Sequence, residues 1–555
     1  MNVQTTLQPS KATETSRDWW RGGVIYQVYP RSFQDSNGDG IGDLAGITQR
    51  LGYIASLGVD AIWISPFFRS PMKDFGYDVS DYRDVDPMFG TLDDFRDLLA
   101  QAHARGLKVM IDLVLSHTSD RHPWFGESRS NRDNAKSDWY VWADPKPDGT
   151  PPNNWLSIFG GSAWQWDSRR QQYYLHNFLT SQPDLNFHCG DVQDALLDVA
   201  RFWLDMGVDG FRLDTINFYF HDKALRDNPA LPLDQRNASI APQVNPYNHQ
   251  DHQHSKSQPE NIAFLERLRA LTDQYDGRAC LGEIGDAQRG LEIMGAYTTG
   301  EKRMHMCYAF EFLEKNTLTA AYTKQVFDQL NDKAGDAWPC WAFSNHDVQR
   351  HASRWELDEA ALRQHVVLMM CLRGSACLYQ GEELGLREAD VPYARLQDPY
   401  GIEFWPEFKG RDGCRTPMVW TAQDEQTGFT TGDPWLPVSH VQAARAVDRM
   451  EEDPQSMLNH YRRAIAFRHS HPALVDGSQA GMVQHGPVLS FIRQSGPHRM
   501  FCAFNLGADT QDVQAPDGDW RCVGQELGAV DGAEKVTLGA AQFSLMIMDP
   551  GAKDV

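Results

Sequence analysis

Short apolar runs alternate with longer amphipathic stretches along most of the chain. The amphipathic stretches, such as TLDDFRDLLAQAHARG at 91–106, repeat apolar residues at helical spacing and end at a glycine. This alternation is typical of βα units around a parallel sheet. Eight runs fit strands: GVIYQVYP (23–30), GVDAIWISPFF (58–68), GLKVMIDLVLSH (106–117), VDGFRLDTI (208–216), ACLGEIG (279–285), HMCYAFEF (305–312), WPCWAFSNHD (338–347) and GSACLYQGEE (374–383).

Eight such units close an α/β fold of the (β/α)8 TIM-barrel type, which we predict over residues 1–117 and 179–474. An open, doubly wound sheet is the structural alternative that periodicity leaves open. In a barrel, catalytic groups gather at the carboxyl ends of the strands. The strand ends are therefore the places to look for chemistry.

Two connections are too long to be ordinary loops. Residues 118–178 are rich in Trp, Asp, Pro and Gly and predict an inserted subdomain after the third strand. Residues 217–262, after the fourth strand, are polar, and their HQDHQH run (249–254) indicates a mobile His-rich loop rather than a metal site. From 475 to 555 the pattern changes to alternating runs, which predict a C-terminal antiparallel β domain of sandwich type.

Composition restricts the partners. The chain has 555 residues with 52 Lys+Arg against 75 Asp+Glu, a formal charge of -23, which disfavours nucleic acid and anionic membranes. Its 9 cysteines are scattered without CxxC spacing. The first 18 residues are polar, and no run approaches the roughly 20 apolar residues of a membrane span. We expect a soluble cytoplasmic protein, monomeric or homodimeric, that acts on small molecules.

Three acidic residues follow apolar runs directly: Asp214 after GFRL, Glu283 in LGEIG and Asp347 in FSNHD. In a barrel they share one rim, and carboxyl groups that share a cleft differ in pKa because like charges disfavour simultaneous ionisation. One carboxyl protonated and one ionised is what retaining glycoside hydrolysis needs. His117 and His346 add neutral hydrogen-bonding groups at strand ends. Surface carboxylates and structural histidines are the alternative interpretation.

Four of these stretches together resemble glycoside hydrolase family 13, the α-amylase family, and especially its α-glucosidase and oligo-1,6-glucosidase branch. The resemblance extends from about Trp19 to the C-terminal domain. The stretches are DLVLSH (112–117), GFRLDTINF (210–218), LGEIG (281–285) and FSNHD (343–347), in the family's order.

The resemblance implies a role for each acid. Asp214 is expected to be the nucleophile, Glu283 the general acid and base, and Asp347 the carboxylate that binds sugar hydroxyls and supports the transition state. Arg212 is expected beside Asp214, where its charge lowers the pKa of the nucleophile and keeps it ionised. Glu283 needs a raised pKa to protonate the leaving oxygen.

FGYDVSDY (75–82) and GRDGCRTPM (410–418) resemble two further family segments. They imply that Asp78 and Arg411 close the far end of the pocket around a terminal glucose, with Arg415 as a second candidate. Tyr77 offers an aromatic face to the sugar, or is a buried core tyrosine. A closed end predicts an exo-acting enzyme, which removes one unit from a chain end.

QPDLNF (182–187) resembles a segment of the oligo-1,6-glucosidase branch, which makes the residue after the nucleophile informative. In that branch this position tends to be valine in α-1,6-cleaving enzymes and alanine or threonine in α-1,4-cleaving ones. Here it is Thr215. The resemblance therefore implies a preference for α-1,4 linkages such as that of maltose.

DSNGDGIGD (35–43) places oxygen ligands at alternate positions, with glycines that allow a tight turn. An EF-hand is excluded, because its twelfth position requires Glu and here is Gly46. The resemblance implies one structural Ca2+ or Mg2+ in this loop, and a solvated turn is the alternative. The candidate ligands are Asp35, Asn37, Asp39, the backbone of Ile41, and Asp43. No organic cofactor is expected.

The expected function is a retaining α-glucosidase that also transfers glucose to alcohol or sugar acceptors, since whatever attacks the glucosyl enzyme sets the product. An oligo-1,6-glucosidase or a sucrose- or trehalose-converting isomerase on the same scaffold is the second enzymatic hypothesis. Non-catalytic transporter subunits of this family carry a membrane span and commonly lack the complete set of acids. This chain has no such span and keeps all three acids.

Overall fold

The computed structural model describes residues 18–236, 241–286, 288–532 and 534–548. At its centre eight strands form one sheet, with one strand at each predicted apolar run. They are β1 (Val24–Val28), β2 (Ala61–Ile64), β3 (Lys108–Leu113), β4 (Gly210–Leu213), β5 (Ala279–Ile284), β6 (Met306–Ala309), β7 (Cys340–Ala342) and β8 (Ser375–Tyr379). The prediction of eight strands at these places is confirmed.

The sheet is parallel and curls into a barrel. Consecutive strands pair from β1 to β6, β1 also pairs with β8, and β8 pairs with β7. The ring closes where Cys307 of β6 bridges Pro339, next to β7. The open doubly wound alternative is therefore wrong.

A long helix follows each strand. These helices are α1 (Leu44–Ser56), α2 (Leu92–Ala104), α3 (Gly190–Met206), α4 (Asn261–Thr272), α5 (Gly290–Thr298), α6 (Ala320–Lys333), α7 (Glu359–Cys371) and α8 (Met457–Ser470). Shorter helices are Pro123–Ser128, Glu311–Glu314, His351–Arg354, Pro399–Glu403, Val447–Glu452 and Pro472–Val475.

Local chemistry explains these elements. Apart from Lys108, every residue of the eight strands is buried, which is why the runs are continuously apolar. Helix α2 begins with a capping box, in which Thr91 and Asp94 each bind the other's backbone amide. Helix α3 ends at Gly207, whose φ of 107° is left-handed.

The segment after β3 forms a small antiparallel sheet of Trp142–Ala143, Gln172–Leu175 and Trp164–Asp167, with Gln172–Leu175 in the middle. Trp155 and Trp164 are buried in a separate apolar cluster beneath it. These tryptophans therefore serve local packing.

The long segment after β4 packs against this small sheet. Asn154 Nδ2 donates to the carbonyl oxygen of Asn228 (2.9 Å), and Trp155 Nε1 donates to that of Arg226 (2.8 Å). The two inserted segments therefore form one joint structure above the barrel. Residues 237–240 of this segment lie outside the described residues.

Part of the HQDHQH run is packed, contrary to the predicted mobile loop, although His249 and Gln253 are exposed. His252 is buried, stacks on the ring of Tyr247 with centroids 3.7 Å apart, and hydrogen-bonds its carbonyl oxygen at 2.9 Å. Within the described ranges, no group of three or more His, Cys, Asp or Glu side chains converges on a metal-sized site. The run is a structural element of the insert.

The C-terminal region holds antiparallel strands. They are β9 (Ser478–His485), β10 (Val488–Ser495), β11 (His498–Asn505), β12 (Gln511–Gln514), β13 (Trp520–Val523), β14 (Lys535–Leu538) and β15 (Phe543–Met548). One sheet has the order β9-β10-β11-β15-β13, and β12 pairs with β14. The predicted β region after 475 is confirmed, whereas the limits given for the domains stay predictions.

In the part of the chain that the structure covers, we find no helix with the length and apolar character of a membrane span.

Candidate active site

The three strand-end acids lie on the wall of one pocket of about 690 Å3. Asp214 directly follows β4, Glu283 is the penultimate residue of β5, and Asp347 lies beyond the end of β7. Asp214 and Glu283 are buried, whereas the side chain of Asp347 is 26% exposed. The barrel therefore brings together three acids that are far apart in the sequence.

Arg212 connects two of these acids from behind the pocket. Its Nη1 lies 2.5 Å from Asp214 Oδ1, and its Nη2 lies 2.6 Å from Glu283 Oε1. The side chain is fully buried. One guanidinium group thus fixes both carboxyl groups. Its donors lie in one plane and point in fixed directions, so arginine suits this role better than lysine does.

Asp112 is a third partner of Arg212, at 3.0 Å from Nη1, and the sequence analysis did not assign it a role. It lies opposite Arg212 in the pairing of β3 with β4. Its carboxylate also accepts hydrogen bonds from Tyr77 Oη (3.0 Å) and Trp63 Nε1 (3.2 Å). Because Asp112 lies inside an apolar run, the sequence pattern indicated only a residue of the barrel core.

The two catalytic candidates differ in proton affinity. Burial raises the pKa of Glu283 to about 8, although Arg212 opposes the change. Burial also raises the pKa of Asp214 to about 6, so the expected net lowering is wrong, even though Arg212 does act in that direction. At neutral pH, Asp214 is mostly ionised and Glu283 is mostly protonated. These two shifts agree with the predicted division between an ionised and a protonated acid, which stays a prediction.

Tyr308 contacts both Arg212 and Glu283, and the sequence analysis missed it. Its hydroxyl accepts a hydrogen bond from Arg212 Nη2 (2.8 Å) and donates one to Glu283 Oε1 (2.8 Å). Tyr308 lies opposite Glu283 in the pairing of β5 with β6. Strand register places Tyr308 beside Glu283, and a single sequence does not reveal that register.

Asp347 is surrounded by cationic groups. Arg411 Nη1 and Arg415 Nη2 donate to its Oδ1 at 3.1 and 2.8 Å. Burial disfavours its charge, but the charged Arg411 and Arg415 lower the pKa of Asp347 below its ordinary value. This acid stays ionised and can accept hydrogen bonds from sugar hydroxyls.

Asp74 rather than Asp78 lies on the pocket wall, which corrects the expectation for Asp78. Asp74 and Arg411 both line the pocket and form an ion pair at 2.9 Å. Asp78 is fully buried and outside the pocket lining, where its carboxylate accepts hydrogen bonds from Ser70 Oγ and from the amides of Lys73 and Asp74. Asp78 therefore holds the loop that presents Asp74.

The predicted histidines occupy different depths. His117 lines the pocket and hydrogen-bonds the carbonyl oxygen of Tyr77 at 3.0 Å. His346 is fully buried behind Tyr77, with stacked rings 5.4 Å apart and its Nε2 2.6 Å from Tyr77 Oη. Burial lowers the pKa of His117 to about 4 and that of His346 to about 3, so both rings are neutral at pH 7.

Thr215 lies on the pocket wall between the two acids. Its amide donates to Glu283 Oε2 (3.1 Å), and its Oγ1 donates to Asp214 Oδ2 (3.2 Å). These contacts require a left-handed backbone with φ of 40°, which is rare for a β-branched residue. Thr215 therefore contacts both acids.

The outer half of the pocket has an apolar wall beside several charged residues. Ile158 and Phe159 come from the insert after β3. Phe178, at the end of the same insert, also lines the pocket, and further large apolar residues there are Phe218, Phe310, Leu313, Val348, Val391, Leu396 and Phe408. A molecule that enters here meets aromatic rings.

The candidate metal loop lies after β1. Asp35 accepts hydrogen bonds from the amides of Asn37, Gly38 and Gly40. Asn37 accepts one from Asp39, and Asp39 accepts one from Ile41, each at 2.9 Å. Asp43 caps helix α1 by accepting the amide of Gly46. Asp35, Asn37, Asp39, Ile41 and Asp43 do not line the pocket.

Within the described ranges, Asp35, Asp39 and Asp43 do not form a group of three acids that converges on a metal-sized site, so a cation in this loop stays a prediction. Burial chiefly, and the nearby Asp35 carboxylate in addition, raise the pKa of Asp43. Carboxylate, amide and carbonyl oxygens are the ligands that Ca2+ and Mg2+ prefer. With only three carboxylates in the loop, Asn37 and the backbone of Ile41 are needed to complete a ligand set.

The model of the α-amylase catalytic domain matches residues 27–477, the greater part of the chain. The chain belongs to the α-amylase family. This family member is 62% identical over 511 residues to a probable α-glucosidase of Rhizobium meliloti (strain 1021), with 91% of this chain and 93% of that protein covered. It is 37% identical over 548 residues to an oligo-1,6-glucosidase of Heyndrickxia coagulans, covering 91% and 95%.

Solved structures agree. The α-glucosyl transfer enzyme XgtA superposes with a TM-score of 0.93 at 55% identity, covering 96% of this chain and 99% of XgtA. The trehalulose synthase MutB from Pseudomonas mesoacidophila MX-45 superposes with a TM-score of 0.84 at 32% identity, covering 95% and 99%. The α-amylase-family protein described here is a glycoside hydrolase.

Proposed function

We propose that this α-amylase-family protein is a retaining, exo-acting α-glucosidase that releases the terminal α-1,4-linked glucose of maltose and short α-glucosides. The observation that carries this proposal is the Arg212 bridge, which holds Asp214 and Glu283 on one pocket wall. Retaining glycosidases place such a pair of carboxyl groups roughly 5 to 5.5 Å apart.

In the first step the ionised Asp214 attacks the anomeric carbon while Glu283 gives its proton to the glycosidic oxygen. The bond between this carbon and the leaving sugar breaks, and the sugar departs as an alcohol. Asp347 accepts hydrogen bonds from hydroxyl groups of the bound glucose and stabilises its developing positive charge. The product of this step is a glucosyl ester of Asp214.

In the second step Glu283, now a carboxylate, removes a proton from a water molecule that attacks the same carbon. The ester bond breaks, Asp214 leaves as a carboxylate, and glucose is released with its original configuration. The two pKa values support this exchange of roles, since each acid starts in the protonation state that the first step needs.

The ion pair of Asp74 with Arg411 supports exo action. Asp398, fully buried, holds Arg411 from the other side at 2.8 Å. A glucose unit that reaches this end meets carboxylate and guanidinium groups that are already fixed. We infer that the pocket ends here, so that only a terminal unit fits between Arg411 and Asp214.

Preference for the α-1,4 linkage is inferred from Thr215. Its hydroxyl hydrogen-bonds Asp214 Oδ2 and lies 3.1 Å from Ser116 Oγ, which fixes its rotamer. A valine at this position keeps the shape but replaces the hydroxyl by a methyl group. This replacement of a hydroxyl by a methyl group lies beside the bond that is cleaved, where the orientation of the leaving sugar is set.

We also propose transglucosylation to alcohol and sugar acceptors. The apolar outer wall with Phe159, Phe218 and Phe408 supports it, because a wall that binds an acceptor lets it compete with water for the glucosyl enzyme. The likeness to XgtA, described as an α-glucosyl transfer enzyme, points the same way. Isomerisation of sucrose is the second candidate function, favoured by the likeness to a trehalulose synthase.

One structural divalent cation, Ca2+ or Mg2+, is proposed at Asp35, Asn37, Asp39, the carbonyl group of Ile41, and Asp43. When bound, the cation neutralises the adjacent carboxylates and stabilises the loop. Chelation is expected to lower the melting temperature, and added Ca2+ or Mg2+ should restore that temperature. The positions of the three pocket acids should not change. An Asp35→Asn variant that melts as the wild type does, with and without chelator, contradicts the proposal.

We propose a cytoplasmic monomer or homodimer. The cysteines are free and mostly buried, which supports a reducing compartment. Fractionation of the source cells and the molar mass in solution test these two statements. Recovery outside the cell, or a larger assembly, contradicts them.

The central experiment follows maltose, isomaltose and sucrose with and without an alcohol, and determines the anomer of the glucose released from an aryl α-glucoside, whose leaving group is not a sugar. We expect rapid cleavage of maltose, release of α-glucose from the aryl glucoside, and an alkyl glucoside when alcohol is present. Asp214→Asn should lose activity by several orders of magnitude, and the exposed Asp424→Asn should not. First release of β-glucose from the aryl glucoside, or activity in Asp214→Asn, contradicts the retaining mechanism. Conversion of sucrose to an isomer as the main reaction favours the second candidate.

A further inference from the structure

The hydroxyl group of Tyr308 lies between the cation and the general acid of the site. Arg212 Nη2 donates to it at 2.8 Å, and it lies 2.8 Å from Glu283 Oε1. Tyr308 is 1% exposed and does not line the pocket. It therefore acts on a substrate only through its neighbours.

The direction of the hydroxyl proton follows from chemistry. A guanidinium group has donors and no acceptor, so the phenol oxygen must accept from Arg212. The single O–H of Tyr308 is then free to point only at Glu283 Oε1. The contact is a donated hydrogen bond to one chosen oxygen of the acid.

The two oxygens of Glu283 consequently differ. Oε1 accepts a hydrogen bond from Tyr308 and lies 2.6 Å from the charged Arg212 Nη2, whereas within the described ranges Oε2 accepts only the amide hydrogen of Thr215, at 3.1 Å. An oxygen that accepts a hydrogen bond and lies beside a cation is a poor place for a further proton. The proton that Glu283 gives to the glycosidic oxygen therefore sits on Oε2.

We propose that Tyr308 is a positioning residue that keeps the transferable proton of Glu283 on Oε2 and fixes the direction in which this acid donates. The proposal rests on the role of general acid given to Glu283 above. Strand β6 carries none of the three acids, but through Tyr308 it takes part in the proton transfer.

Several charged groups face Glu283 and set the background for its titration. They come from β3, β4 and the loop after β7: Asp112, Arg212, Asp214 and Asp347. The hydrogen bond from Tyr308 stabilises the ionised form of Glu283 and so lowers its pKa against the effect of burial. Removing the hydroxyl raises that pKa, while the charged groups stay in place.

The test compares Tyr308→Phe with Tyr219→Phe. Tyr219 is equally buried, stacks on Phe187, and its hydroxyl has no hydrogen-bond partner among the described residues. Both variants lose one buried oxygen atom. We measure kcat/KM against pH for maltose and for α-glucosyl fluoride, whose fluoride leaves with little protonation, and we check folding by thermal melting.

For Tyr308→Phe we expect the alkaline limb of kcat/KM to move up by about one pH unit, since a hydrogen bond to a charged group is worth about that much. We also expect kcat/KM for maltose to fall about tenfold or more, because general acid catalysis contributes at least that much, and kcat/KM for the fluoride to change little. Tyr219→Phe should match the wild type. 3-Fluorotyrosine at position 308, a stronger donor, should move the limb down.

Equal losses on both substrates with an unmoved limb would show that Tyr308 only packs, and would overturn the proposal. If Tyr308→Phe does not fold, the 3-fluorotyrosine protein decides, and an unmoved limb there has the same meaning. Glu283→Gln separates this outcome from failure of the proposed function. A Glu283→Gln protein that hydrolyses maltose as the wild type does removes Glu283 from its role, whereas an inactive one leaves only Tyr308 in question.

Discussion

The side-chain amide of Asn217 forms two hydrogen bonds with the backbone of Gly285. Its Nδ2 donates to the carbonyl oxygen at 3.2 Å, and its Oδ1 accepts the N–H at 3.1 Å. Asn217 lies three residues after Asp214, and Gly285 lies two residues after Glu283. The buried Lys256 also donates to the Gly285 carbonyl oxygen, at 2.5 Å. These hydrogen bonds join the loops that follow Asp214 and Glu283, the two proposed catalytic acids.

Asn217→Ala should therefore lower kcat about tenfold to a hundredfold, because loss of two hydrogen bonds of about 1 kcal/mol each loosens the geometry of the acids. Steady-state kinetics on maltose measure this. Asn505→Ala is the control, since Asn505 is fully buried in the C-terminal region and bonds backbone carbonyl groups there. It should melt at a lower temperature with unchanged kcat. The same kinetic loss in both variants contradicts a specific role for Asn217.

The pKa values of the two acids predict a bell-shaped dependence of kcat/KM on pH. Asp214 must be ionised, so activity rises as pH increases through about 6. Glu283 must be protonated, so activity falls as pH increases through about 8. Initial rates at low maltose concentration from pH 5 to 9 measure both limbs. Constant activity over that range would mean that these acids do not control the first step.

Asp74→Asn and Asp78→Asn should have different effects. Asp74 lines the pocket and pairs with Arg411, so its loss should lower kcat/KM for maltose by an order of magnitude or more with a small change in melting temperature. Asp78 accepts three hydrogen bonds inside a loop, so its loss should mainly lower the melting temperature. Kinetics and melting curves of both variants are compared. Reversed effects would put Asp78 back at the pocket end.

Thr215→Val should shift the ratio of maltose to isomaltose cleavage toward isomaltose by roughly tenfold, about 1.4 kcal/mol of differential barrier. The change removes the hydroxyl that contacts Asp214 and keeps the β-branched shape. Thr118→Val is the matched control, because Thr118 is buried, bonds Tyr140 Oη, and does not line the pocket. The ratio of the two kcat/KM values is the measurement. An unchanged ratio in Thr215→Val removes the linkage role from this position.

The sequence predicted the barrel well because burial on both faces makes each strand a continuous apolar run. The same property concealed Asp112, which stands inside such a run, and Tyr308, which reads as one more apolar strand residue. Both act through strand register, Asp112 opposite Arg212 and Tyr308 opposite Glu283. Register between parallel strands depends on long connections, and no periodic pattern in one sequence encodes it.

The sequence analysis placed Asp78 at the pocket, where the structure has Asp74, and this error has a different cause. Both acids lie in the irregular segment between Arg69 and Asp81, where no period shows which side chain faces inward. The packed His252 was missed for a similar reason, since polar composition does not reveal which histidine finds a ring such as Tyr247 to stack on. Strand-end positions were predictable, whereas loop interiors required coordinates.

The left-handed backbone at Thr215 has a consequence for how this enzyme can be altered. A β-branched residue in that region costs roughly 1 to 3 kcal/mol, which the rest of the fold must offset. Glycine at 215 would relieve this cost but lose the side chain that contacts Asp214. Selection for thermal stability alone would therefore favour residues at 215 that lower catalytic turnover. At this position, stability and turnover cannot both be maximised.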